Sequence, residues 1–522
     1  MKAFNTAGTC RPNRHYMVDI TERLEIIKGM VANGYFFCIN RGRQYGKTTT
    51  LAALKSYLEN SGYCVFSMSF EALGQTSFST DEELCATFLW LMKNAVEGSR
   101  VIGLSDKARS VIINSIDNEI RPIKTLIFSQ TLCNLCSYND RPIVLFIDEV
   151  DKASNNGSLI SLLSILRQMY LYRDEMPTFQ SVILAGVYDI KNLKLKMRPD
   201  DEHQYNSPWN IAVPFDVDMS LSAEGIAGML AEYKADHNLD FDEKVVAQMI
   251  RDYTSGYPFL VSRICQIIDT MSLPWNKEGI LKAVNQLLNE GNTLFDDIVK
   301  KLDQYPELVR TIKGVLFQGM RYPFNYYDKA TNLAIMLSFV KQDKGAFAIA
   351  CRIFEIWFYN YFISQDKNTD AFVYGMDVKN QFIHDSIIDM PLLLERFAKH
   401  MNQTFSMDKD HKFLEKNGRQ IFLTYLRPII NGIGSYHIEE QTRDMERMDV
   451  VIDYLGKQYV VELKIWRGDS YNTRGEEQLA RYLEYFDLQE GYLLSFCFNK
   501  SKQVGLLPPV EIKGRTLIEG IV

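Results

Sequence analysis

Long apolar runs are missing from this chain. None approaches the ~18 residues that would cross a bilayer as a helix, so the sequence is read as having no membrane partner. The first twenty residues also lack the apolar stretch of a secretory signal. Cysteine is sparse and unpatterned. Nine cysteines form an odd set without framework spacing, which speaks against a disulfide scaffold and for a reducing, cytoplasmic setting. The one close pair, Cys133 and Cys136, lies on an apolar helical stretch with no second pair or histidine partner, so it reads as core. Net positive charge is absent too. Lys and Arg number 58 against 65 Asp and Glu, a formal charge of −7. Attraction of the whole surface to nucleic acid is thereby excluded, and any DNA contact must rest on a local patch. Fifteen prolines and thirty glycines are too few for a collagen or a disordered linker protein, and no internal repeat is visible.

What is present is enough for several domains, since 522 residues exceed one hydrophobic core. From Tyr35 to Phe215 short apolar strands alternate with amphipathic helices, the pattern of a parallel sheet covered on both faces. The strands expected are Tyr35–Ile39, Tyr63–Phe70, Ile143–Ile147, Val182–Ala185 and Ile211–Phe215. Residues 1–220 are taken as this core and 221–303 as a helical region punctuated by Ser222, Asp242 and Gly256-Tyr257-Pro258. Residues 304–365 read as a small winged-helix-like unit. Its hairpin would join Phe339-Val340 to Phe347–Ile349 through Asp343-Lys344-Gly345. Six polar residues in a row, Gln365–Asp370, mark a linker placed at 366–378. Residues 379–522 form the last domain, with helices at Lys379–Asn402 and Lys412–Asn431 and strands at Asp449–Tyr454, Gln458–Lys464 and Tyr492–Phe498.

The first expected strand runs into Arg43-Gln44-Tyr45-Gly46-Lys47-Thr48-Thr49 and then a helix. A phosphate-binding loop needs backbone N–H groups curled around the anion, with little bulk at Gly46. It also needs a lysine to reach the β and γ phosphates, here Lys47, and a hydroxyl for Mg²⁺, here Thr48. The usual first glycine is replaced by Arg41, and Gly42 stands one position late. The second half of such a site is an apolar strand ending in acids. Pro142 to Ile147 followed by Asp148-Glu149 supplies it, Asp148 for the Mg²⁺ shell and Glu149 to orient the attacking water. The competing reading is a buried strand with an acidic N-cap for the next helix, for which Asp151 and Ser154 are suited; Lys47-Thr48 about a hundred residues upstream favours the nucleotide reading.

Gly46-Lys47-Thr48, Phe146-Ile147-Asp148-Glu149 and Leu184 to Asp189 together resemble an AAA-like P-loop ATPase, nearest to bacterial members close to the signal-transduction (STAND) group. Gly256-Tyr257-Pro258 matches that group's Gly-x-Pro, and the resemblance covers about residues 10–365. It implies ATP and Mg²⁺ as ligands, and it allows a homo-oligomer. The chain departs from the family in having no clear sensor residue after the Val182–Ala185 strand, where Tyr188 and Asp189 are the candidates, and no arginine finger that the pattern names, Arg198 standing in the basic stretch Lys191–Arg198.

The last domain carries Asp449 and then Glu462-Leu463-Lys464. With a two-residue turn at Gly456-Lys457, Leu455 would pair with Gln458, Val451 with Glu462 and Asp449 with Lys464. Asp449, Glu462 and Lys464 would then share one face. Gln478 and Tyr482, four apart, would share a helix face. This order resembles the PD-(D/E)XK nucleases with a Gln-x-x-x-Tyr motif. The resemblance implies that Asp449 and Glu462 bind Mg²⁺ or Mn²⁺, that Lys464 assists the attacking water, and that Gln478 and Tyr482 position the site or the DNA. Glu439 is chosen over Glu440 as the early acid. The fold class expected is therefore an α/β P-loop NTPase core with a helical lid, a small winged-helix-like unit and a C-terminal α/β restriction-endonuclease-like domain. The function expected is ATP-regulated cleavage of DNA. The alternative is an ATP-dependent switch whose nuclease-like fold only binds nucleic acid or a partner.

Overall fold

A computed structural model describes residues 2–116, 122–154, 156–186, 208–318, 322–325, 328–343, 345–365, 381–384, 387–404, 415–430, 434–437, 450–454, 457–465, 476, 479–480, 483–484, 488–497 and 503–522. The chain divides into two compact units. The first is Met1–Leu239 with two short returns, Gly256–Ser262 and Leu333–Ser338; the second is Asp240–Ser255, Arg263–Asn332 and Phe339–Val522.

The first unit is built on a sheet of β1 (Phe37–Asn40), β2 (Cys64–Ser69), β3 (Ile143–Asp148) and β4 (Ser181–Gly186). The order is β1-β4-β3-β2 and every pairing is parallel. β3 and β4 are buried along their whole length, which explains why they read as unbroken apolar runs rather than alternating ones. One face packs Phe37, Ile39, Val144, Phe146 and Ile183 against helices α1 (Thr21–Ala32) and α2 (Lys47–Asn60), through Ile27, Leu51, Leu54 and Leu58. The other face carries Phe36, Cys38, Leu145, Ile147 and Leu184 under the helices Asp81–Glu97, Thr125–Tyr138 and Gly157–Leu171. Cys133 is in this second core, as its helical context implied. The fifth strand expected at Ile211–Phe215 is not formed. Pro208–Ile211 is a 3-10 turn, and only Val213 bridges to Phe37. Pro214 has no N–H to continue a ladder, and Phe215 instead stacks on Phe37.

The second unit holds helices from Glu243–Thr254 to Pro306–Gln318, then a hairpin of β5 (Val340–Asp343) and β6 (Ala346–Ile349). Gly345, at φ +79°, takes the left-handed turn position that a side chain would disfavour. A second hairpin, β7 (Ile383–His384) with β8 (Ile387–Ile388), occupies the start of the segment expected as helix. The helix begins only at Met390, behind Asp389, whose Oδ1 accepts from the Leu392 N–H at 3.0 Å.

Seven strands make the C-terminal sheet: β9 (Gly434–His437), β10 (Val450–Tyr454), β11 (Lys457–Ile465), β12 (Glu490–Phe496), β13 (Gly505–Leu506), β14 (Val510–Ile512) and β15 (Arg515–Ile521). The central β11, β12 and β15 are parallel; β9, β10, β13 and β14 join antiparallel. The last three strands were not among those expected. β14 and β15 are joined through Lys513 and Gly514, both at positive φ.

The β10–β11 register differs from expectation. Val450 pairs with Val461, Val451 with Val460 and Tyr454 with Lys457, a shift of two residues. Asp453 supplies the reason. The expected register sets this buried carboxylate opposite Val460. The observed one sets it opposite Gln458, whose Nε2 donates to Asp453 Oδ1 at 2.8 Å, and Arg352 completes an ion pair with it. A buried charge without such partners is costly. Lys457 is thus a strand residue rather than part of the turn.

Candidate functional site: the phosphate-binding loop and the C-terminal strand face

The loop after β1 closes on itself. Gly46, at φ +81°, and Gln44, at φ +58°, turn the chain left-handed, and Lys47 begins α2. A helix N-terminus with free N–H groups and its positive dipole end is a ready anion site. Lys47 is almost fully buried, and its Nζ donates to the carbonyls of Arg41 and Gly42, both at 3.0 Å. Burial lowers its pKa, while Glu149, Asp151 and Asp148 oppose that shift. Thr49, one residue beyond Thr48, accepts the Cys10 N–H on its hydroxyl at 3.1 Å.

Thr48 Oγ1 donates to Asp148 Oδ2 at 2.8 Å, and Asp148 Oδ1 accepts from the Glu149 N–H at 2.9 Å. The hydroxyl and the carboxylate are therefore adjacent, as two neighbouring ligands of an octahedral Mg²⁺ must be, so these residues fit the ion. Glu149 itself sits at φ 53°, ψ 38°. A non-glycine residue held in that region is strained. Burial raises the Glu149 carboxyl pKa; Lys47 pulls it down and Asp148, Asp151 and Glu71 push it further up.

Two contacts on this loop have no counterpart in the sequence reading. Tyr257 is buried, its hydroxyl donates to the Arg43 carbonyl at 2.7 Å, and its ring meets Tyr45 edge-on at 4.6 Å. Gly42 donates its N–H to Ser338 Oγ at 3.0 Å, and a methyl added at Gly42 would lie 2.4 Å from the Leu337 carbonyl oxygen. Glycine at 42 is thus required by a close backbone approach. Arg41 is also engaged: its Nη2 donates to the Val217 carbonyl at 3.0 Å, and its guanidinium lies over Phe215. Tyr188, Asp189 and Arg198 lie outside the described residues.

Of the C-terminal constellation, Glu462 and Lys464 are described; Glu439, Glu440, Asp449, Gln478 and Tyr482 lie outside the described residues. Lys464 Nζ is 3.3 Å from Glu462 Oε1. Glu462 is buried rather than solvated and pairs with Leu493 on β12. Leu493 in turn pairs with Glu519 on β15, and Ser495, beside Lys464, donates to Glu519 Oε1 at 2.5 Å. In-register residues share a face. Glu462, Lys464, Ser495 and Glu519 thus form a polar patch towards the carboxyl ends of three parallel strands, next to apolar Val460, Leu479, Leu483 and Leu493. Ser495 and Glu519 could have been suspected only from polar residues interrupting apolar strands. Among the described residues no group of three His, Cys, Asp or Glu side chains is placed to hold a metal, and no helix is long and apolar enough to cross a membrane.

A family model described as an AAA-like domain matches residues 11–360. No curated protein matches the chain. Among solved structures the chain is similar to a Walker-type ATPase of Pyrococcus abyssi, with 14% identity, 68% of this chain and 99% of that one covered, and a TM-score of 0.47. It is also similar to Cdc6p from Pyrobaculum aerophilum, at 11% identity, 69% and 97% coverage and a TM-score of 0.33. The ORC2 protein of Aeropyrum pernix follows at 14%, 70% and 97%, and 0.34.

Proposed function

The chain belongs to the AAA-like domain family of P-loop ATPases, and from that premise we propose that it hydrolyses ATP at the β1–α2 loop and uses the cycle to regulate a nuclease carried by residues 379–522. The observation that carries the first half is the Thr48–Asp148 hydrogen bond at 2.8 Å, beside Lys47, whose Nζ donates to two loop carbonyls. Lys47 would exchange those carbonyls for the β and γ phosphates. Thr48 and Asp148 would hold Mg²⁺, which neutralises phosphate charge when bound. Glu149 would orient a water whose oxygen bonds to the γ phosphorus as the bond to the bridging oxygen breaks. The electron pair leaves on ADP, and the water proton passes to an acceptor. Lys47→Ala should lose binding of a fluorescent ATP analogue and phosphate release; unchanged binding and turnover would refute the assignment.

The nuclease half is supported by Glu462 and Lys464 on one face of a parallel strand, with Ser495 and Glu519 extending the polar patch. Active centres of open α/β sheets commonly gather at the carboxyl ends of parallel strands. Asp449 and Glu462 would bind Mg²⁺ or Mn²⁺, Lys464 would act on the attacking water, and Gln478 and Tyr482 would position DNA. A digest of linear, circular and single-stranded DNA with Mg²⁺ or Mn²⁺, with and without ATP, tests this. Glu462→Ala should stop cleavage and leave ATP hydrolysis intact. If the wild-type protein cuts nothing, the alternative of an ATP-dependent switch that only binds nucleic acid or a partner stands.

A further inference from the structure

The helix Thr125–Tyr138 turns Phe128, Leu132, Cys133 and Leu135 into the core of the first unit. Its outer face is unusual for a chain that is 24% charged. The stretch TLIFSQTLCNLCSY contains no Asp, Glu, Lys or Arg. Leu126 is 81% exposed, Ile127 57% and Tyr138 48%. A single exposed apolar residue needs no explanation, but several along one charge-free helix mark a contact surface. The polar groups between them already have partners. Gln130 Nε2 donates to Asn134 Oδ1 at 3.0 Å, and the Thr131 hydroxyl donates back to the Ile127 carbonyl at 2.8 Å. Covering this face therefore strands little hydrogen-bonding capacity.

The residues of the face are arranged alike on either side of position 132. Leu126 and Tyr138 stand at equal offsets from it, as do Gln130 and Asn134. Lys124 and Asp140, both exposed and just outside the helix, stand at equal offsets as well. When two copies of one helix lie antiparallel across a two-fold axis, residues at equal offsets from the axis come opposite each other. Leu126 then meets Tyr138, Gln130 meets Asn134 and Lys124 meets Asp140, each contact made twice. Side-chain amides offer donor and acceptor together, so an amide face can satisfy its own copy. The C-terminal end of the helix is held in place by Ser105, whose Oγ donates to the Tyr138 carbonyl at 2.6 Å. Arg141, next to Asp140, packs on Gly103, where an added methyl would lie 2.7 Å from its Cδ.

Charge selects the occupant. The chain carries a net charge of −7, so two copies repel over much of their surface. That repulsion is least on a face without charge, bordered by a cation at one end and an anion at the other. We propose that two copies of this chain associate through Thr125–Tyr138, packed antiparallel about an axis level with residue 132. The face is about 21 Å long and 10 Å wide, smaller than the roughly 800 Å² a side of a stable complex. The pair is accordingly weak, with a Kd on the order of 10 µM.

Sedimentation velocity of the full chain from about 1 to 100 µM tests this, with a thermal melt of each variant to check folding. Wild type is expected to pass from monomer to dimer over that range. Leu126→Glu and Ile127→Glu should each keep the chain monomeric. Ile26→Glu, at an exposed apolar residue of α1, should dimerise like wild type. Lys124→Glu should weaken the dimer about fivefold, since two like-charge contacts replace two ion pairs. Lys124→Glu combined with Asp140→Lys should restore it, and this pair keeps the test decisive if an apolar replacement melts early. A wild-type chain that stays monomeric at every concentration would overturn the proposal. So would a dimer that survives Leu126→Glu, or a Lys124→Glu loss that Asp140→Lys does not restore, because the antiparallel register requires that rescue.

Discussion

At the residue scale, the phosphate loop shows how much chemistry a short segment carries and how much it borrows. Lys47, Thr48, Asp148 and Glu149 stood out in the sequence because phosphate binding would ask for those groups between a strand and a helix and at the end of a second strand, and the structure sets Thr48 against Asp148. The departure at Arg41 was visible as well, but its cause was not: the side chain is spent on the Val217 carbonyl and the Phe215 ring. Gly42 was visible only as a glycine out of place. Its reason lies almost 300 positions away, at the Leu337 carbonyl. Gly42→Ala should therefore act like a loop mutation. The added methyl must displace Leu337 or the loop, so ATP-analogue affinity should fall on the order of tenfold, the equivalent of about 1.4 kcal/mol, while the fold survives. Fluorescence titration beside a thermal melt checks this; unchanged affinity would show that the Leu337 contact is not maintained.

At the element scale, strand existence followed from apolar runs, and strand pairing did not. β1 to β4 were found to within two or three residues because each is a short apolar run, and β3 and β4 are buried on both faces. The β10–β11 hairpin was found, yet its register was displaced by two residues, since turn preference at Gly456 was outweighed by a tertiary contact. Asp453 sits at 4% exposure between Gln458 and Arg352, and the Arg352 guanidinium also lies 4.8 Å from the Tyr253 ring centroid. No local rule points from residue 453 to residue 352. Removing one member of a buried pair leaves the other charge uncompensated, at about 3 kcal/mol or more. Asp453→Ala should thus lower the denaturant midpoint of the second unit, and Asp453→Ala with Arg352→Met should recover part of the loss. Additive losses in that double-mutant cycle would mean the pair does not set the register.

At the scale of the whole molecule, the path of the chain was the least legible feature. Two short returns, Gly256–Ser262 and Leu333–Ser338, leave the second unit and rejoin the first. Both of them touch the phosphate loop, Tyr257 at Arg43 and Tyr45, Ser338 at Gly42. Ser255, Gly256 and Ser338, at these crossings, all hold positive φ, a conformation that ordinary residues keep only when their surroundings impose it. The sequence marked Gly256-Tyr257-Pro258 as a break between helices without disclosing where it lands. On the function proposed above, Lys47 would give up the Arg41 and Gly42 carbonyls to take phosphates, so nucleotide exchange would work on the same loop that these returns touch. In the proposed cycle Glu149 is the group that turns binding into turnover. The most direct measurement is phosphate release by Glu149→Gln beside ATP-analogue affinity of the same protein. The expected result is affinity like wild type with turnover reduced on the order of 10²-fold; turnover equal to wild type at equal affinity would contradict it.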